Sequence, residues 1–471
     1  MRVRHARGAA VVLTLGLALT ACAQGTSDGG DDPGDDGTGT AGSGVTYDPE
    51  AELDGDFEIM GFGLGDEVAT ARFERAEEAL GSGVSIQHVE GALDIQQFLT
   101  SVASGNPPEI IYTGREQIGS FASRGAIMPL TECIAGEGIE VDNFRENALA
   151  QVTFNDEVYG IPEFNTVQVT MANSDLLEGA GLTIEDVNGS DWDALSAAND
   201  AIFQGEGGNI SVIGYDPKLP EFFPLWARSN GTDLISEDSR TAQLNDPAVV
   251  EALEYAVGLY EAQGGFGPVK AYRDTADFFG AGNQFATNTL GAMPMEQWYI
   301  NVLNEESPDA PVAFDAYVGK DGTPLAYAGG SAWAIPTQGD NPEAACRFAR
   351  VMTEVDSWIA AAEARIALRQ EEGGTFTGIL TGNTVADEAV REMIEPTGDE
   401  KWDTAIDAMY EANDYAFNYT ASPADAEFKT AWEDAVNRVL NGQEDVQTSL
   451  DRAQEEAQAA LDEGWEAWDE G

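Results

Sequence analysis

The stretch Phe57-Glu58-Ile59-Met60-Gly61-Phe62-Gly63-Leu64-Gly65-Asp66-Glu67 joins a short apolar run to a glycine-rich turn and then to an amphipathic segment. Phe57 to Phe62 predicts a strand, and Glu67 to Leu80, with Phe73, Ala76 and Leu80 on one stripe, predicts a helix. The pattern then repeats. Val84 to Val89 predicts a second strand, Ile95, Phe98, Leu99 and Val102 share one helical face, and Glu109 to Tyr112 follows Pro107-Pro108 as a third strand. Strands separated by helices of this size imply an α/β fold with a parallel, doubly wound sheet whose ligands bind at the carboxyl ends of the strands. The glycines read as a turn and not as a phosphate cradle, because they lack G-x-G-x-x-G spacing and Asp66 and Glu67 would face a pyrophosphate.

Working outward, the middle of the chain mixes the same elements. Val167 to Asn173, Ile210 to Gly214 and Leu290 to Met293 predict strands, and Ser174 toward Ala180, Trp192 to Phe203 and Pro247 to Gln263 predict helices. A second sheet is therefore expected. After a strand at Ser331 to Ile335 nearly everything reads helical: Pro342 to Ala362, Asp403 to Phe417, Ala424 to Leu440 and Val446 to Leu461.

The amino terminus has a different purpose. Basic residues in Met1 to Arg7, an apolar run from Gly8 to Leu19 and then Leu19-Thr20-Ala21-Cys22 predict an export signal over residues 1–21, too short to span a membrane comfortably. The last four of these residues resemble a bacterial lipobox, which implies lipidation of Cys22. Ala23 to Gly44 holds eight Gly and five Asp and no large apolar side chain, so residues 22–50 are expected to form a flexible tether, with the lipid as the only membrane anchor. The two remaining cysteines, Cys133 and Cys346, are expected to pair in an exported chain and are not a metal site.

The composition excludes several function classes. Of 471 residues, 84 are Asp or Glu and 23 are Lys or Arg, a formal charge of -61 that repels nucleic acid phosphates and anionic lipid headgroups. The 43% hydrophobic content still suffices for sizeable cores. Only His5 and His88 are present, and His5 falls in the export signal, so a His-rich zinc site is excluded and a His-dependent nucleophile would rest on His88 alone. Val84, Ile86 and Val89 around it read as a strand, which favours a structural histidine. Hydrolysis by paired carboxylates stays open, since acids are plentiful.

Several further segments occur in a telling order. They are Pro107-Pro108-Glu109-Ile110-Ile111-Tyr112-Thr113-Gly114, Ser123-Arg124-Gly125-Ala126-Ile127-Met128-Pro129-Leu130, Tyr159-Gly160-Ile161-Pro162 and Asn173-Ser174-Asp175-Leu176-Leu177. Gly291-Ala292-Met293 before Trp298, Gly329-Gly330-Ser331-Ala332-Trp333-Ala334-Ile335-Pro336 and Asn341-Pro342-Glu343-Ala344-Ala345 complete the set. Together they resemble the extracellular solute-binding proteins of bacterial carbohydrate ABC importers (family 1, maltose-binding-protein-like). The resemblance implies a two-lobed, periplasmic-binding-protein-like (type II) fold, with ligand trapped between lobes joined by crossing hinge segments. By analogy the crossings fall near Pro162 to Val167, Val318 to Leu325 and Thr375 to Asn383. The amino-terminal lobe would then take 51–164 with 322–378, and the carboxy-terminal lobe 165–321 with 379–471. Both cysteines fall in the first lobe, which suits their pairing.

A sugar offers hydroxyls, which suit planar polar partners, and C–H faces, which suit aromatic rings. Glu116 and Gln117, just past the third strand, match positions that hold hydroxyls in the family, and Arg115 beside them either does the same or pairs with acids. Glu163, Phe164 and Asn165 occupy the first crossing, where the family places a carboxylate. Trp298, after Glu296-Gln297, sits where the family uses a stacking platform, although Tyr299 and Ile300 beside it also allow a core position. Phe222, with Phe223 and Trp226, forms a second aromatic group shared between core and cleft. Phe62, Trp333 and Tyr419 complete the candidates, with Trp333 open between ligand contact and hinge packing; Trp432, Trp465 and Trp468 read as packing. The glycine loop lacks the family's basic residue, and Thr113 replaces an aromatic, so no particular sugar is implied.

The resulting expectation is a monomeric, lipid-tethered receptor that needs no cofactor and hands a mono- or oligosaccharide to permease and ATPase subunits on other chains. Two alternatives remain: a secreted glycosidase using Glu116 and Glu163, and a receptor for cationic solutes such as polyamines or peptides. The spread of acids along the whole chain speaks for a solubilising surface and against the cationic reading.

Overall fold

The computed structural model describes residues 45–206 and 209–470; the export signal, Cys22 and most of the tether lie outside the described residues. Strand β1 (Gly55–Met60), helix α1 (Glu67–Leu80), strand β2 (Val84–Val89), helix α2 (Ile95–Ser104) and strand β3 (Ile110–Gly114) follow one another as the sequence predicts. Local chemistry starts each helix. The Asp66 carboxylate accepts from the Ala69 amide at the head of α1, Asp94 does the same for Gln97 in α2, and left-handed Gly105 ends α2.

The first sheet runs β2-β1-β3, then Gly329–Ala334, then Ile161–Thr166. β1 is parallel to β2 and β3, but Gly329–Ala334 is antiparallel to both of its neighbours. The wholly parallel sheet expected from the sequence is thus a mixed one. Strand Gly329–Ala334 arrives from the second sheet and not through a crossover helix, so nothing obliges it to run parallel. The second sheet takes Val312–Ala316, Gln168–Asn173, Leu290–Glu296, Asn209–Tyr215 and Gln204–Glu206 in that order. It too is mixed: Leu290–Glu296 is antiparallel to Gln168–Asn173 and parallel to Asn209–Tyr215.

Two helices depart from the sequence pattern. Instead of one helix from Pro342 to Ala362, there are two, Pro342–Thr353 and Val355–Glu372, separated by Glu354 in an extended conformation (ψ 154°). The bend lets Phe348 and Met352 join Phe57 and Phe73 in one core while Trp358 packs with Val68 in another. Glu354 holds the corner through Arg350, 2.7 Å away. The helix expected to reach Phe417 stops at Asp414, and Ala416–Phe417 pairs with Ala326–Tyr327 as a short parallel ladder. In both places tertiary contacts outweigh helical propensity.

Residues 379–392 side with the first sheet: Thr381 bridges Phe164 and Asn383 bridges Phe144, and helix Thr384–Glu392 packs on Val355–Glu372. The long helix Val446–Glu470 touches both halves. Its Trp465 and Trp468 lie 5.5 and 4.8 Å from the Phe154 ring, and Gln454 and Gln458 bond the backbone at Leu244 and Ala242. Among the described residues no helix is long and apolar enough to cross a membrane. His88 is a packing residue, with Nε2 2.9 Å from the Phe62 carbonyl and its ring stacked on Phe73.

Cys133 and Cys346 form a disulfide across a separation of 213 residues, with both side chains buried. It ties helix Thr131–Glu137 to Pro342–Thr353 within the first lobe. Replacing both cysteines by serine should lower stability on the order of 4 kcal/mol, because the closed loop is long. A denaturant titration that shows no loss would contradict this.

Candidate functional site

The chain leaves the first sheet at Thr166 and enters the second at Gln168, so a single residue, Val167, makes the first crossing. It returns between Ala316 and Gly329. A buried polar chain fastens these crossings together. The Arg115 guanidinium donates to Asn165 Oδ1 at 2.6 Å and to the Gly329 carbonyl, and Asn165 Nδ2 donates to Asn413 Oδ1 at 2.6 Å. Asn413 donates in turn to Asp387 at 3.0 Å, and Asp387 is paired with Arg145. From the second sheet, Gln297 Oε1 accepts from the Val167 amide at 2.8 Å while Nε2 donates to the Asn165 carbonyl at 3.0 Å. Gly330 makes the close approach possible. Its φ is +149°, and a Cβ there would collide with the Phe164 carbonyl and the Arg115 guanidinium.

Two cavities flank this crossing and share Thr166 and Gly330. The larger, about 320 Å³, is lined by Asp66, Tyr112, Phe164, Asn165, Gln297, Trp298 and Arg365, among others. The second, about 230 Å³, is lined by Glu116, Gln151, Phe222, Glu296, Tyr327 and Trp432 together with further carboxylates. A narrow recess of about 40 Å³ extends it toward Arg115, Tyr419 and Asp425. Trp298 Nε1 donates to Glu296 at 2.5 Å, and its ring lies nearly parallel to that of Phe279, 6.0 Å away. Phe279 is 66% exposed and continues the aromatic surface outward.

The sequence candidates divide accordingly. Phe164, Asn165, Gln297 and Trp298 meet in the larger cavity, Glu116, Phe222 and Glu296 in the second, and Arg115, Glu116 and Tyr419 in the recess. Gln117 lines none of the three. Phe62 and Trp333 lie in the first-lobe core, 5.0 Å apart, with Trp333 also against Phe348. For Trp333 the arrangement favours packing, because alternate residues of a strand face opposite sides and this one faces inward. Glu163 is fully buried in an ion pair with Arg72, whose guanidinium lies 4.0 Å from the Trp358 ring centre and 5.0 Å from that of Phe164. That carboxylate faces an internal cation and not the cleft.

Sequence reasoning missed other wall residues. Trp432 has a helical setting that reads as packing, and Tyr327 and Gln151 carry no local mark, since only the fold brings them beside Glu116. Asp66 was legible in principle, because it follows the glycine turn at the end of a strand.

Burial shapes the electrostatics. It lowers Arg115 to about 10 against the pull of Glu116. It raises Asp425 to about 8, with Glu116 adding to the effect despite hydrogen bonds from Ser422. Glu296 and Glu433 are also raised, by burial first and then by Glu221 and, for Glu433, by Glu116.

Residues 69–368 match the family described as bacterial extracellular solute-binding protein. The chain belongs to that family. This solute-binding protein is 25% identical over 168 residues to the maltodextrin-binding protein MdxE of Bacillus subtilis, a match covering 34% of this chain and 36% of that relative. The chain thus spans about a third of the length of the curated relative it matches. Among solved structures, mannotriose-bound CpMnBP1 superposes with a TM-score of 0.68 at 19% identity, covering 85% of this chain and 99% of that one. The GacH receptor of Streptomyces glaucescens, solved unliganded and with acarbose, gives 0.66 at 16% identity, covering 87% and 99%. UgpB of Mycobacterium tuberculosis, bound to glycerophosphocholine, gives 0.65 at 15%, covering 88% and 99%. These similarities establish the two-lobed type II binding-protein fold. Membership places the chain among binding proteins and not enzymes, so the paired-carboxylate glycosidase is set aside; Glu163, locked to Arg72, is in any case withdrawn from catalysis.

Two outcomes follow from this geometry. Gly330→Ala should destabilise the protein by about 1–3 kcal/mol, since its methyl must displace the Phe164 carbonyl or Arg115; an unchanged melting temperature would refute the close approach. Asp425 holds its proton in the folded state up to pH about 8 and releases it near 3.8 when unfolded, so it makes stability fall as pH rises between those values. Denaturant midpoints measured from pH 6.5 to 8 should decline, and Asp425→Asn should flatten that decline.

Proposed function

We propose that this solute-binding protein captures a mono- or oligosaccharide between its lobes and delivers it to the permease and ATPase subunits of an importer. In this reading a lipid on Cys22 and the tether over residues 22–50 hold it at the outer face of the cell membrane, and it acts as a monomer without a cofactor. The observation that carries the proposal is the pair of cavities at the crossing, each combining aromatic surface with planar polar groups. Trp298 and Phe164 in the larger and Trp432, Tyr327 and Phe222 in the second suit the C–H faces of sugar rings. Asn165, Gln297 and Glu116 suit hydroxyls. The sugar complexes of CpMnBP1 and GacH, which share this fold, support the same ligand class.

Capture works by population shift: a ligand touching both lobes favours the closed arrangement. Trp298 and Gln297 come from the end of a second-sheet strand and Phe164 from a first-sheet strand, so one ligand in the larger cavity reaches both. A thermal-shift screen of the protein against mono- and oligosaccharides tests this, with intrinsic tryptophan fluorescence as a second readout. A cognate sugar at about 1,000 times its Kd should add roughly 4 kcal/mol of stability and be recovered intact. No response from any sugar would overturn the reading.

A further inference from the structure

We propose that the solute carries a protonated amine, so that the cargo is an amino-substituted saccharide whose ammonium sits in the second cavity. The inference rests on the saccharide reading above and narrows it. Four carboxylates, Glu116, Glu221, Glu296 and Glu433, line that cavity against one ammonium, Lys429. Lys429 stands between Glu116, at 3.6 Å, and Glu433, at 4.0 Å, while Lys218 serves Glu221 from outside at 3.8 Å. Glu296 has no ammonium or guanidinium within 4.0 Å among the described residues; the Trp298 indole donates to it, and Lys218 attracts it only from farther off. Carboxylates thus outnumber cations around this cavity even with the Arg115 guanidinium behind its recess counted.

A second, independent feature points to a polar ligand in the same cavity. Gln151 is 7% exposed, lines this cavity and its recess, and its Oε1 accepts no hydrogen bond. A buried carbonyl oxygen without a donor costs about 1–3 kcal/mol, which an N–H or O–H of a bound solute recovers. Arg115, fully buried behind the recess with Nε and Nη1 unpartnered, offers donors to a neighbouring hydroxyl. Asp425, the remaining acid there, is pushed up by burial and faces Glu116. Among the described residues no three carboxylates converge closely enough to hold a metal ion, so the spread charge suits an organic cation. Tyr327 and Trp432 on the same wall supply aromatic surface for an ammonium or for the ring that bears it.

The test compares three β-1,4-linked disaccharides that differ only in the C2 substituent of each ring: the glucosamine dimer, its N-acetylated counterpart and cellobiose. Calorimetry on the full chain at low salt should show the free amine binding at least about tenfold tighter than either neutral sugar. Salt at 0.5 M should shrink that advantage, as should raising the pH until the sugar amine is neutral. Glu433→Gln and Glu296→Gln, checked for native melting behaviour, should each reduce the ratio of amine to neutral affinity. If one variant fails to fold, the salt and pH series on the unmodified protein still decide. Neutral sugars binding as tightly as the amine would overturn this inference and leave the saccharide reading standing. Binding of none of the three, with a response to other sugars that have no amine, would do the same. Silence across all sugars would overturn both.

Discussion

Everything at the centre of this molecule depends on Asn165. Its amide and backbone bind several separate segments: Arg115 just past β3, Asn413 near the end of a carboxy-terminal helix, Gln297 just past a second-sheet strand, and Leu380, whose carbonyl accepts from the Asn165 backbone N–H. The side chain is fully buried, so each of its polar groups must be met by protein, and an unmet one costs about 1–3 kcal/mol. That requirement sets the distance between the strands and brings the lobes together at one residue, Val167. Gly330 is the counterpart of this constraint, since only a residue without a Cβ fits between Arg115 and the Phe164 backbone. The network continues through Asp387 to Arg145, the residue that precedes the short helix Glu146–Ala150.

The cavities are by-products of the same fastening. Because the crossing is narrow, the space on either side of it is walled by elements from both lobes, and a ligand there touches both. The two sides differ in chemistry. One presents amides with Trp298, and the other presents carboxylates with Trp432 and Tyr327. Asp66 and Arg365, paired with each other at 2.8 Å, and Asn301 also line the first.

The Arg72–Glu163 pair shows how a family position changes its task. A carboxylate at the first crossing, which the resemblance assigns to ligand, is turned inward to a guanidinium that packs against Trp358 and Phe164. A buried pair of this kind is costly to break, because removing either partner strands the other charge. It therefore holds the first crossing against the split helix that bends at Glu354.

Much of this was readable from the sequence. The alternation of apolar runs and amphipathic segments from Phe57 to Tyr112 carried the first β-α-β-α-β unit, since periodicity and capping residues such as Asp66 and Asp94 act locally. The ordered segments from Pro107 to Ala345 carried the family, and with it the two lobes. Of the candidate site, Glu116, Asn165, Glu296, Gln297 and Trp298 were nominated from predicted strand ends together with the family resemblance, and the structure sets each of them on a cavity wall beside the crossing. The direction of the late strands, the bend at Glu354, the inward turn of Glu163 and Trp333, and the cleft positions of Gln151, Tyr327 and Trp432 were decided only by the tertiary structure. Each depends on what a residue meets from segments far away in the chain, and the free energy of burial, unlike helical or strand periodicity, is not a property of neighbouring residues.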